Sequence, residues 1–116
     1  MRRRLVSLLA VMLFATLMSH VSAAPGLLQA HFIDVGQSDS CWLRFPNGDD
    51  VLVDGSKPQA GPTAVAYLQA NGVTDVELLV ATHGDSDHIG GLLDVLRSMP
   101  VRVALLDSQD CTTVTC

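Results

Sequence analysis

Apolar and polar residues follow two rhythms along this chain. From Ser40 to Phe45, Cys41, Leu43 and Phe45 alternate with Ser40, Trp42 and Arg44. That period of two predicts a strand with one apolar face, here the Cys41, Leu43 and Phe45 face, with Cys41 as a buried core thiol. Leu27 to Val35 and Asp50 to Asp54 predict strands on either side, and Pro46-Asn47-Gly48-Asp49 predicts the hairpin turn between the second and third. Gly55 to Gly61 reads as a loop. The rhythm then becomes helical. Pro62 suits a first turn, Val65 and Leu68 form a short stripe, and Gly72 after Asn71 is a stop. Val76 to Thr82 is apolar on both faces apart from Glu77, which predicts a strand buried on both sides. Leu92, Leu93, Leu96 and Met99 predict the core stripe of a second helix. Asp94 and Arg97 face outward there, spaced for an ion pair worth about 0.3 kcal/mol. Pro100 ends that helix and Val101 to Leu106 predicts a fifth strand. Strands followed by strand–helix–strand units predict a mixed αβ layered fold of the α/β class.

The first residues stand apart. Arg2, Arg3 and Arg4 precede an apolar run from Leu5 to Met18, broken only by Ser7 and Thr16, and a small-residue exit, Ser19 to Ala24. This pattern predicts a secretory signal peptide over residues 1–23, a secreted or periplasmic product, and one domain over residues 24–116. The alternative, an uncleaved anchor, meets an apolar run shorter than the ~20 residues of a spanning helix. No stable membrane anchor is therefore expected after cleavage. The whole chain carries 7 Lys+Arg and 12 Asp+Glu, a net charge of −5. Because the leader holds three arginines and no acid, its removal leaves a net of −8. So acidic a surface does not suit broad electrostatic binding of nucleic acid, which needs Lys and Arg against phosphates.

The candidate chemistry is concentrated in Thr82-His83-Gly84-Asp85-Ser86-Asp87-His88-Ile89-Gly90-Gly91. His83, Asp85, Asp87 and His88 fall between the fourth strand and the second helix. Neither a period of two nor one of 3.6 would aim all four at one point, but a tight loop with small Gly84 and Ser86 can. Imidazole and carboxylate are ligands for borderline divalent metals. The alternative is a solvated turn rich in Asp, Ser and Gly. A calcium loop is excluded, because counting from Asp85 puts Ile89 and Leu96 at positions five and twelve, where oxygen ligands are needed.

The stretch His83-x-Asp85-x-Asp87-His88 resembles the His-x-His-x-Asp-His signature of the metallo-β-lactamase-fold hydrolases, with Asp85 in place of the second histidine. That departure is similar to the hydrolase domain of ComEC-type DNA-uptake proteins and their secreted free-standing relatives. Asp34-Val35-Gly36-Gln37-Ser38-Asp39 and Val51-Leu52-Val53-Asp54-Gly55 resemble two further motifs of that branch. The resemblance implies an αβ/βα sandwich, of which this chain carries the amino-terminal half. It implies metal-assisted hydrolysis at a phosphorus or carbonyl centre by one or two divalent ions, zinc or manganese, with iron as a further option.

By the same resemblance, His83 and Asp85 hold one metal and Asp87 and His88 a second. Asp87 also orients the nucleophile as the catalytic residue. Asp34 and Asp54, at strand ends, are candidates to brace the ligands from behind, the alternative being ordinary turn chemistry. His31 is expected to be a surface or core histidine. Cys111 and Cys116 are a disulfide candidate in an exported chain, with a metal pair as the alternative. The further ligands that the resemblance requires do not follow in this sequence, so a fragment with weak turnover of its own is expected. The functional expectation is a secreted phosphodiesterase or nuclease acting on a phosphodiester or small-molecule substrate, DNA included. The alternatives are an acyl hydrolase of the lactamase or lactonase kind and a non-catalytic fragment.

Overall fold

Five strands lie side by side in sequence order in the computed structural model, which describes residues 26–107. The expected leader and the Cys111–Cys116 pair lie outside the described residues. β1 (Gln29–Phe32), β2 (Cys41–Arg44) and β3 (Asp50–Val53) form an antiparallel meander. β4 (Val76–Ala81) joins β3 in parallel, and β5 (Val101–Leu106) joins β4 in parallel. Each parallel step needs a crossover. The first is a short 3-10 turn, Pro58–Ala60, followed by helix α1 (Gly61–Ala70). The second is the one-turn helix α2 (Ser86–Ile89) followed by α3 (Leu92–Ser98). The result is a mixed α/β layer.

The core lies between the helices and one sheet face. Trp42, Leu52 and Leu79 meet Ala64 and Leu68 of α1 and Leu92 and Val95 of α3, all at most 4% exposed. This inverts the face expected for the second strand. Alternation identifies two faces but not which is covered, and here the polar-looking face is the covered one. Trp42, 1% exposed, donates its indole N–H to Asp50 Oδ1 at 2.8 Å. Arg44 grips the same carboxylate with two bonds, 2.9 and 3.0 Å, and lies over the indole at 4.7 Å from the ring centroid. That carboxylate hold raises the Arg44 pKa. Ser40 is buried because its hydroxyl donates to the Asp54 carbonyl. Burial costs polar groups little once they are paired this way.

Cys41 is half-buried on the opposite face, where partial burial pushes its thiol pKa up. Phe32, Cys41, Val53, Val80 and Leu105 run across that face in one row, with Leu43, Val51, Leu78 and Val103 in the next. None of them is fully buried, and Phe32 is 84% exposed. So β4 is not covered on both sides, because no described element packs against its Leu78 and Val80 face.

The second helix also departs from expectation. Its core stripe is Leu92, Val95 and Met99, whereas Leu93 and Leu96 are each 48% exposed. Both sets have helical spacing, so the pattern alone did not separate them. Leu93 and Leu96 instead line an open apolar groove with Leu79, Ile89, Ala104 and Leu106. Asp94 packs against Gly61 at the start of α1, where a Cβ would overlap its carboxylate, and it makes no ion pair with Arg97.

Two backbone segments are closed on each other beside this core. The Gly55 N–H donates to the His88 carbonyl at 2.7 Å, and the Gly91 N–H donates to the Ser56 carbonyl at 3.0 Å. The approach is close enough that a Cβ on Gly91 would overlap the Gly55 carbonyl oxygen, a backbone atom that cannot swing aside. Gly91→Ala is therefore expected to destabilise the domain by about 3 kcal/mol, at the upper end for overpacking. A calorimetric Tm lowered by about 10 °C or more would agree, and an unchanged Tm would show that the segments are free to separate.

Candidate metal centre

The site sits where β4 gives way to α2. Asp54 leaves the neighbouring β3 in a left-handed conformation, φ 57°, which aspartate tolerates better than most residues. Its N–H donates to the Val80 carbonyl, so the strand end is fixed to β4. Its carboxylate points across to the motif loop. Asp54 Oδ1 accepts the Thr82 N–H at 2.8 Å, and Oδ2 accepts the Thr82 hydroxyl at 2.6 Å. Oδ2 also accepts His88 Nδ1–H at 2.9 Å. A buried carboxylate thus braces the loop from beneath with all its partners satisfied.

After Thr82 the chain turns through His83 and Gly84 to Asp85, whose carbonyl accepts the His88 and Ile89 N–H groups and opens α2. That single turn swings Asp87 and His88 back towards His83. Ligand atoms of His83, Asp87 and His88 all lie within 4.8 Å of one another. The two imidazole centroids are 3.8 Å apart. Asp87 Oδ2 is 3.9 Å from His88 Nε2. Asp85 stands outside this group but beside it, with Oδ2 3.6 Å from His83 Nε2. The structure therefore gathers three of the four motif residues around one point and puts the fourth against one of them. Both pairs expected to share a metal, His83 with Asp85 and Asp87 with His88, have their side chains next to each other here.

The group suits a divalent metal. Two imidazoles and a carboxylate are the donors such ions take. His88 gives its other ring nitrogen to Asp54, the arrangement that fixes a ligating histidine with Nε2 towards the ion.

Other sequence candidates are placed elsewhere. Asp34 is exposed and accepts the Gly36 N–H at 3.2 Å, which is turn chemistry, and it does not join the group. Its carboxylate is spent on the turn that a glycine at φ 78° completes. His31 stacks on Trp42 at 4.1 Å and pairs with Tyr67 OH at 3.0 Å on the helix-covered face. Thr82 escaped notice in the sequence, although a hydroxyl at the strand end next to the first histidine was the available signal. Ser56 was also missed. It has φ 66° and no exposure, and its hydroxyl meets that of Ser38, itself at φ 90°, at 2.9 Å.

Comparison with known proteins agrees with this geometry. The sequence profile described as the metallo-beta-lactamase superfamily matches residues 33–112. The chain is 32% identical over 78 residues to hydroxyacylglutathione hydrolase of Synechococcus sp. (strain WH7803), covering 67% of this chain and 29% of that protein. It is 36% identical over 77 residues to recombination protein 2 of Haemophilus influenzae, covering 62% of this chain and 10% of that one. Similarity to metallo-beta-lactamase domain-containing protein 1 of Xenopus laevis is 34% over 84 residues, 64% of this chain and 36% of that one. The chain thus spans about a third or less of the length of these relatives. Among solved structures, the metallo-beta-lactamase SMB-1 bound to 2-mercaptoethanesulfonate superposes with a TM-score of 0.54 at 26% identity, covering 60% of this chain and 27% of that one. The Rm3 metallo-beta-lactamase gives 0.54 at 30% identity, covering 66% and 28%. The matched sheet and helices correspond to the amino-terminal αβ half of that fold's sandwich. The chain belongs to the metallo-β-lactamase superfamily.

Proposed function

We propose that this chain provides the metal-binding half of a secreted metal-dependent hydrolase that cleaves phosphodiesters, DNA among them. The observation that carries the reading is the His83, Asp87 and His88 group braced by Asp54, with Asp85 against His83. Asp85 adds a negative charge beside the group, 3.6 Å from His83 Nε2, where an imidazole would be neutral. A bound ion would supply Lewis acidity and an activated water at neutral pH. The chain's own part is to hold two imidazole nitrogens and the Asp87 carboxylate at one point, with Asp87 the best placed group to orient a water there. Similarity to recombination protein 2 favours the phosphodiester class. Similarity to a hydroxyacylglutathione hydrolase favours a second reading, hydrolysis of an acyl thioester. The leader pattern is the reason for proposing export, and amino-terminal sequencing of protein from the producing cell is expected to begin near Ala24 or Pro25.

The substrate class is decided by assaying the full chain with manganese or zinc on bis-p-nitrophenyl phosphate, on single-stranded DNA and on a hydroxyacyl thioester of glutathione. Weak metal-dependent release from the phosphodiesters, above the thioester, is the expected result. Turnover of the thioester alone would give the acyl reading instead.

A further inference from the structure

We propose that Thr82 is a positioning residue for His83, carrying the hold of Asp54 to a second imidazole through its hydroxyl. The argument is a proton count. A carboxylate is acceptor-only and a hydroxyl has a single proton. The 2.6 Å contact to Asp54 Oδ2 therefore uses the Thr82 proton. At 3.0 Å from His83 Nδ1, the Thr82 oxygen can then only accept, which favours the His83 proton on Nδ1 over the longer 3.6 Å approach of Asp85 Oδ2 to Nε2. His88 is set the same way without an intermediary, since its Nδ1–H donates to Asp54 Oδ2 directly. One carboxylate thereby fixes the tautomer of both histidines and leaves both Nε2 lone pairs free. Oδ2 accepts two hydrogen bonds and Oδ1 one, within the capacity of a carboxylate. The inference rests on the reading of His83, Asp87 and His88 as a metal site, but its first test needs neither metal nor substrate.

That test is a long-range 15N–1H spectrum of the metal-free full chain at a pH where the imidazoles are neutral. His83 and His88 should both show the Nδ1–H form. In Thr82→Val, which keeps the shape and the backbone N–H bond to Asp54 Oδ1, His83 should shift towards the Nε2–H form while His88 stays as it was. Thr82→Ser should restore the wild-type pattern. Zinc affinity, read by competition with a chromophoric chelator, should fall about tenfold in Thr82→Val and be retained in Thr82→Ser, the lower end for partners of metal-ligating histidines because Thr82 is exposed. A wild-type His83 in the Nε2–H form would overturn the proposal even if Thr82→Val failed to fold. So would a valine variant with unchanged tautomer and affinity, or a serine variant as impaired as the valine one. An inactive protein with the expected tautomers would count against the hydrolase reading and leave this one standing.

Discussion

Asp54→Ala is expected to cost about 3 kcal/mol of stability and at least about a hundredfold in metal affinity. The stability term follows from three donors that lose their acceptor together: the Thr82 N–H, the Thr82 hydroxyl and His88 Nδ1–H. Each unsatisfied donor costs about 1–3 kcal/mol when buried, and water reaching the exposed Thr82 keeps the sum at the lower end. Alanine also tolerates φ 57° less well than aspartate. The affinity term follows because both imidazoles lose their common anchor, and each such partner is worth about 10–100-fold. Asp54→Asn separates the two effects. Asparagine accepts the left-handed backbone and can keep the Thr82 N–H bond, but its amide would meet donors at the Oδ2 position. It should therefore recover about half of the stability and little of the affinity. Thermal unfolding and chelator competition on both variants read these out. Full metal affinity in Asp54→Asn would mean that the carboxylate does not hold the histidines.

Asp87→Ala is expected to have the largest effect on chemistry. Asp87 supplies the carboxylate of the three-residue group and is half-buried in the first turn of α2, with 41% of its side chain accessible. Its removal should leave the fold intact, since no described backbone hydrogen bond depends on its side chain. Tm should move by less than about 2 °C. Metal affinity should fall about a hundredfold or more, and any metal-dependent hydrolysis by the wild-type chain should fall with it. Asp85→Ala is the useful comparison. Asp85 lies outside the group and should weaken affinity less. Equal losses in the two variants would show that Asp85 shares the first ion.

The motif loop was legible because its four ligand-type residues are neighbours in the sequence, so one tight turn could gather them. The brace was only partly legible. Asp34 and Asp54 both end strands, yet only Asp54 leaves a strand adjacent to β4, and strand adjacency is a long-range fact. Residue order gave the right elements, but the covered face of β2 was misread because Trp42 and Arg44 look polar until Asp50 is placed opposite them. The stripe of α3 was misread for a related reason. Leu92, Leu93, Leu96 and Met99 form an apolar band, but the neighbouring sheet selects Val95 in place of Leu93 and Leu96. The open sheet face with Phe32, Leu43 and Leu105 follows from the fold, and a chain displaying it should associate readily, as exposed apolar surface does.

The central claim is that His83, Asp87 and His88 hold a divalent ion with Asp54 beneath them. Anomalous diffraction at the manganese or zinc edge, on crystals of the full chain grown with that ion, tests it most directly. The account predicts a peak within bonding distance of His83 Nε2, His88 Nε2 and an Asp87 oxygen, with His88 Nδ1 still on Asp54. A peak held by other residues, or none at these three under saturating metal, would contradict it.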